Sequence, residues 1–147
     1  MRPPSSALVV DSAILIAAAR GRSSGALLAA ARSSFLVTTD EVARETRRRI
    51  EAGLKRPELL AVLQGLLGEM TVVPVAALEA LLADARAALR DAVASRNGST
   101  KDAHVLALAR SIDADIWTTD RDFAGAGVAT WSTPNLMRGL AEAPRAV

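Results

Sequence analysis

The 147-residue chain has no cysteine, which excludes a disulfide framework and any thiolate metal site. Its single histidine, His104, rules out a histidine-rich zinc site. A metal here would be held by oxygen, which favours magnesium or manganese. Aromatic residues make up only 3%, so no stacking platform for single-stranded bases is visible. Trp117 and Trp131 read instead as core strand residues. Lysine is nearly missing: among 18 basic residues only Lys55 and Lys101 are lysine. Arginine presents a planar fork that suits phosphates and carboxylates. The basic excess is small, with a net charge of +2 and an isoelectric point near 9.9, and by itself says little about nucleic acid. No apolar run approaches the ~20 residues of a spanning helix. The opening Met1-Arg-Pro-Pro-Ser-Ser leads into a short apolar run broken by Asp11, which does not read as a signal peptide. The expected location is cytoplasmic, without membrane contact.

What is present is a core built from Ala, Val, Leu and Ile, with half the residues hydrophobic. That is enough for one domain over residues 1–147, with 142–147 as a frayed tail. Strands are expected at Ala7–Val10, Phe35–Val37, Thr71–Val73, Asp115–Thr119 and Val128–Trp131. Helices are expected at Ile14–Ala19, Gly25–Arg32, Asp40–Ala52, Pro57–Leu67, Val75–Ala94 and from Thr133 on, with a further helix capped by Thr100 and carrying Asp102 in its first turn. Short unalternated strands separated by helices predict an α/β fold with a parallel sheet covered on both faces. On the long Val75–Ala94 helix, the stripe Leu78, Leu81, Leu82, Ala85, Leu89 fits either core or a dimer surface.

The chain is organised around Ser99–Phe123. In an α/β layer a helix start and the end of the following strand lie at one sheet edge, so Asp102 and Asp120 are expected to be neighbours. Asp11 ends the first strand at that same edge. Glu45 follows the second strand by about two helical turns, and Asp122 is a fifth candidate. Ligands in open α/β sheets bind at this edge. Carboxylates at ~4 Å repel by roughly 1–4 kcal/mol per pair, depending on the effective dielectric, so such a cluster implies either retained protons or a divalent cation. Each acid also has a plainer reading. An Asp after a strand is often a turn former, Asp102 complements a helix dipole, and Glu45 within Arg44–Arg49 fits a solvated surface. It is their convergence that favours a metal site. His104 falls mostly on another helix face and reads as structural, and Arg47–Arg49 reads as an exposed face.

These residues resemble a PIN domain, and within that family a VapC-type toxin ribonuclease. The matching pieces are Val9-Val-Asp-Ser12, Thr39–Glu45, Asp102–Ala109 and Thr118–Phe123, and the likeness covers roughly residues 7–138. The resemblance implies a Rossmann-like sheet of order 3-2-1-4-5 and cleavage of RNA phosphodiesters that depends on Mg²⁺ or Mn²⁺. It further implies a homodimer and a cognate antitoxin in the active-site groove. Carried over, Asp11, Asp102 and Asp120 would hold metal, and Glu45 would position or deprotonate the attacking water. Ser12, Thr118 and Asp122 would orient ligands or substrate. Ala13 departs from the family, which usually has a polar residue there.

The alternative is a catalytically weak scaffold of the same fold that binds RNA or protein without cutting. A phosphoacceptor signalling domain needs an acid after the third strand, where Val73-Pro74 stands. An Asp-x-Asp phosphatase fails at Ala13.

Overall fold

A computed structural model of the chain describes residues 2–91, 100–119, 123 and 125–142. Its centre is β1 (Ala7–Val10), whose Leu8, Val9 and Val10 are fully buried. A strand apolar at successive positions has no wet face, which suits the middle of a sheet with helices on both sides. β2 (Phe35–Thr39) flanks β1 on one side and carries β3 (Thr71–Val73) at its outer edge. β4 (Asp115–Trp117) and the two-residue β5 (Thr130–Trp131) complete the other side. The order is 3-2-1-4-5 and every pairing is parallel, with Val9 opposite both Val37 and Ile116. This is the order that the resemblance implied.

The helices are α1 (Ser12–Ala19), α2 (Ser24–Ser33), α3 (Asp40–Arg48), α4 (Leu59–Leu67), α5 (Glu79–Arg90), α6 (Ala103–Ser111) and α7 (Thr133–Glu142). α3 starts sharply for two local reasons. The Thr39 hydroxyl accepts from the Val42 N–H at 3.0 Å, and Asp40 and Glu41 face the positive end of the helix while Arg47 and Arg48 face the negative end. Beyond Arg48 the expected α-helix widens into a π-helical turn, Arg49–Gly53, in which the Leu54 N–H reaches the Arg49 carbonyl. It keeps Ile50 fully buried while Arg47, Arg48 and Arg49 stay exposed.

The expected helix from Val75 is a 3₁₀ turn to Leu78 before α5 begins. The Val75 N–H is taken by the Asp40 carboxylate at 2.9 Å, which ties this turn to the start of α3. Leu78, Ala85 and Leu89 are core and Leu81 is exposed, so most of that apolar stripe packs inward. The stretch 92–99, including the end expected for this helix, lies outside the described residues, as does most of the expected tail. Trp117 is fully buried and Trp131 nearly so, as core strand residues should be. Among the described residues no helix is long and apolar enough to cross a membrane.

Candidate active site

β1 stops at Asp11 because a carboxylate ends the apolar run, yet the side chain stays inside, 3% exposed. A buried carboxylate must be hydrogen-bonded, and this one is. One oxygen, Oδ1, accepts from the Ser12 N–H at 2.7 Å as the cap of α1. The other, Oδ2, accepts from the Thr118 hydroxyl at 2.7 Å. The Asp11 N–H donates to the Trp117 carbonyl at 3.1 Å, so the β1–β4 ladder itself brings Thr118 alongside. Asp11 is thus fixed by its own helix on one side and by the neighbouring strand on the other. Ser12 and Thr118 are buried with it.

The end of β2 meets the same edge. Thr38 donates its hydroxyl to the Val10 carbonyl at 2.8 Å, just before Asp11. Thr39 shares a 2.8 Å hydrogen bond with His104 Nδ1. His104 is the second residue of α6, so this contact seats the N-terminal turn of α6 against the carboxyl end of β2. Asp102 is the N-cap residue of α6 and partly exposed, and its side chain makes no capping bond. The cap therefore lies at Asp102 and not at Thr100. Thr100 closes a turn instead, its carbonyl accepting from the Ala103 N–H at 3.1 Å.

Glu45 lies in the second turn of α3, partly exposed. Glu41, Glu45 and Asp40 each favour the charged form of His104. Burial holds the imidazole below its ordinary pKa, against the pull of those three acids. His104 is structural in the sense expected, although it is turned toward the acid edge and bonded there. What sequence reasoning missed is this link and the Thr38 contact. The available signal was the pair of hydroxyls, Thr38-Thr39, at the carboxyl end of a buried strand.

Of the expected residues, the structure thus brings Asp11, Ser12, Asp102, Thr118 and Glu45 to one edge of the sheet. Asp120 and Asp122 lie outside the described residues. Among the described residues no three acidic or imidazole groups converge closely enough to form a metal cage, and the expected set of three includes Asp120. The donors that are described are carboxylate oxygens, the chemistry of a hard divalent cation.

The family model described as PIN domain matches residues 9–141. A comparison with curated protein sequences finds no match. Among solved structures, a chain of VapBC2 from Rickettsia felis, bound to a DNA fragment from its promoter, superposes with a TM-score of 0.68 at 14% identity, covering 86% of this chain and 98% of that one. VapC20 from Mycobacterium tuberculosis, a toxin that cleaves the sarcin–ricin loop, gives 0.61 at 20% identity over 83% and 96%. FitAcB from Neisseria gonorrhoeae gives 0.62 at 19% identity over 88% and 99%. At such identities the likeness is one of fold.

Proposed function

The chain belongs to the PIN-domain family, and from that premise we propose that it is a divalent-metal-dependent endoribonuclease, the toxin of a toxin–antitoxin pair. The observation that carries this reading is the buried Asp11, held rigid by Ser12 and Thr118 at the edge where Asp102 and Glu45 also arrive. Two-sided orientation of a carboxylate at the carboxyl edge of a parallel sheet supports a site that presents oxygens in fixed geometry.

In this reading Asp11, Asp102 and Asp120 would hold Mg²⁺ or Mn²⁺, which would supply positive charge against the phosphate and a more acidic water. Glu45 orients the attacking water and takes its proton at the carboxylate, as a general base. Thr118 acts through Asp11, holding one of its oxygens so that the other face is presented to the ligand. Ser12 supplies the second hold on Asp11 through its N–H. Asp122 orients substrate. The partners are an RNA substrate, a cognate antitoxin whose segment fills the groove, and a second copy in a homodimer. Among the structures of like fold, VapC20 is by name a toxin that cleaves the sarcin–ricin loop.

The test is cleavage of a mixed cellular RNA by the purified chain with Mg²⁺, Mn²⁺ or EDTA. Cutting should require metal. Asp11→Asn and Asp102→Asn should lose more than the roughly 10–100-fold that the loss of an outer-shell partner costs, and Glu45→Gln about 10²–10⁴-fold in kcat. RNA binding of equal strength in wild type and variants, with no cutting in any metal, would replace this reading by the non-cleaving scaffold.

A further inference from the structure

We infer that His104 is a positioning residue of this site: through Thr39 it ties α6 to the first turn of α3 and so sets the separation between Asp102 and Glu45. The inference rests on the proposed nuclease reading for its consequence, and on the geometry below for its substance.

The bond between His104 Nδ1 and Thr39 Oγ1 is 2.8 Å long and closed off from water, with Thr39 fully buried and His104 7% exposed. Thr39 does more than meet the ring. The same oxygen takes the Val42 N–H at 3.0 Å and caps α3, so its position defines where α3 starts. At the other end, His104 stands in the first turn of α6, two residues after Asp102. One hydrogen bond therefore joins the starts of the two helices that carry Asp102 and Glu45. Thr39 is itself held by the sheet, paired with Val73 across β2 and β3. The frame of reference on that side is rigid.

The ring is buried and its Nδ1 is bonded to the carboxyl end of β2. A leucine would fill a similar volume there and need no partner. A buried polar group with one well-made bond adds orientation more than stability, and orientation is what two carboxylates on separate helices require.

The two ring nitrogens allow a sharp test, because asparagine places a polar atom near Nδ1 and glutamine near Nε2. His104→Leu, His104→Asn and His104→Gln are compared by kcat and KM for RNA with Mn²⁺, thermal unfolding, and calorimetric titration with Mn²⁺. Expected are a fall in kcat of about 10–100-fold for Leu with KM within twofold, a recovery of most of that loss in Asn, and none in Gln. Thr39→Val, which also removes the cap of α3, should lower kcat by itself, and its loss should combine with that of His104→Leu to less than the sum, because the two share one contact. If kcat stays within twofold in His104→Leu while only the melting temperature falls, His104 is a packing residue and the inference is overturned. Should the Leu variant not fold, the Asn–Gln contrast decides, and equal kcat in both overturns it. If the wild type cuts no RNA, the nuclease reading falls by itself and Mn²⁺ affinity decides the positioning role. A Kd weakened at least fivefold in His104→Leu or His104→Gln supports it, whereas an unchanged Kd, or a wild type that binds no Mn²⁺, overturns it.

Discussion

Asp11 and Thr118 are 107 positions apart, yet the 2.7 Å bond between them is where chemistry at the single-residue scale is concentrated. Thr118→Val keeps the shape of the side chain and removes the donor. A buried acceptor that loses a partner costs about 1–3 kcal/mol, so thermal unfolding should register a modest loss. Activity should fall more than stability suggests, by about 10–100-fold in kcat, because Asp11 then loses the hold that β4 provides. A variant with full kcat and a lowered melting temperature would mean that Thr118 serves the fold alone. At this scale the sequence was legible where a residue stops an apolar run, as Asp11 does. It was not legible where the partner arrives through a strand ladder, because Thr118 meets Asp11 only once β4 has paired with β1.

Among the elements, glycine shows how context reverses a propensity. Gly139 lies in α7, and a Cβ there would come within 3.1 Å of the Pro4 ring and 3.2 Å of Trp131. Gly65 lies in α4, and a Cβ there would meet nothing within 4 Å. Alanine in place of glycine favours a helix by roughly 0.5–1 kcal/mol, whereas overpacking costs about 1–3 kcal/mol. Gly65→Ala should therefore raise the melting temperature by a few degrees, and Gly139→Ala should lower it by a similar amount. Equal shifts of one sign in both would show that the N-terminal segment yields freely to α7. The element boundaries tell the same story. Local rules placed α3 correctly at its start, where Thr39, Asp40 and Glu41 form a capped and charge-complemented turn. They missed the widening after Arg48, since a π-helical turn that leaves three arginines in solvent and Ile50 inside is decided by what Ile50 packs against. They also missed the 3₁₀ turn at Val75, whose N–H is claimed by Asp40 from α3.

Across the whole molecule, the feature that sequence reasoning passed over is the seat of the N-terminal segment. Asp115, at the start of β4 and so at the sheet edge opposite Asp11, is 2% exposed. Its carboxylate accepts from both terminal nitrogens of Arg2 at 2.8 and 2.9 Å, from the Ser5 N–H at 2.9 Å and from Trp131 Nε1 at 2.9 Å. Burial disfavours its charge, and the donors from Arg2, Trp131 and Ser5 outweigh that, so the carboxyl is held below its ordinary range. A carboxyl that binds protons less readily when folded adds stability at neutral pH, and that stability is lost as pH falls through the lowered folded value. Asp115→Asn should cost about 2 kcal/mol at pH 7, at the modest end for a broken buried pair because Arg2 itself is 60% exposed. The gap between denaturant melts of the two proteins should begin to close below about pH 4 and close fully only below the lowered folded value. A gap that stays constant from pH 7 to pH 3 would show that the carboxylate's charge contributes nothing.

The sequence by itself determined the kind of fold and narrowed the chemistry open to a site at its edge. Short apolar strands alternating with helices require a parallel sheet with two covered faces, a chain without cysteine and with one histidine leaves oxygen as the metal donor, and acids that end strands or begin helices belong to one edge. These follow from local pattern and topology, which a chain carries residue by residue. Only the tertiary structure decided which hydroxyl holds Asp11, that His104 bridges β2 and α6, and that Arg2 closes over Asp115. Each of those contacts joins positions more than sixty residues apart, and hydrogen-bond geometry at that separation exists only after the sheet has set its register.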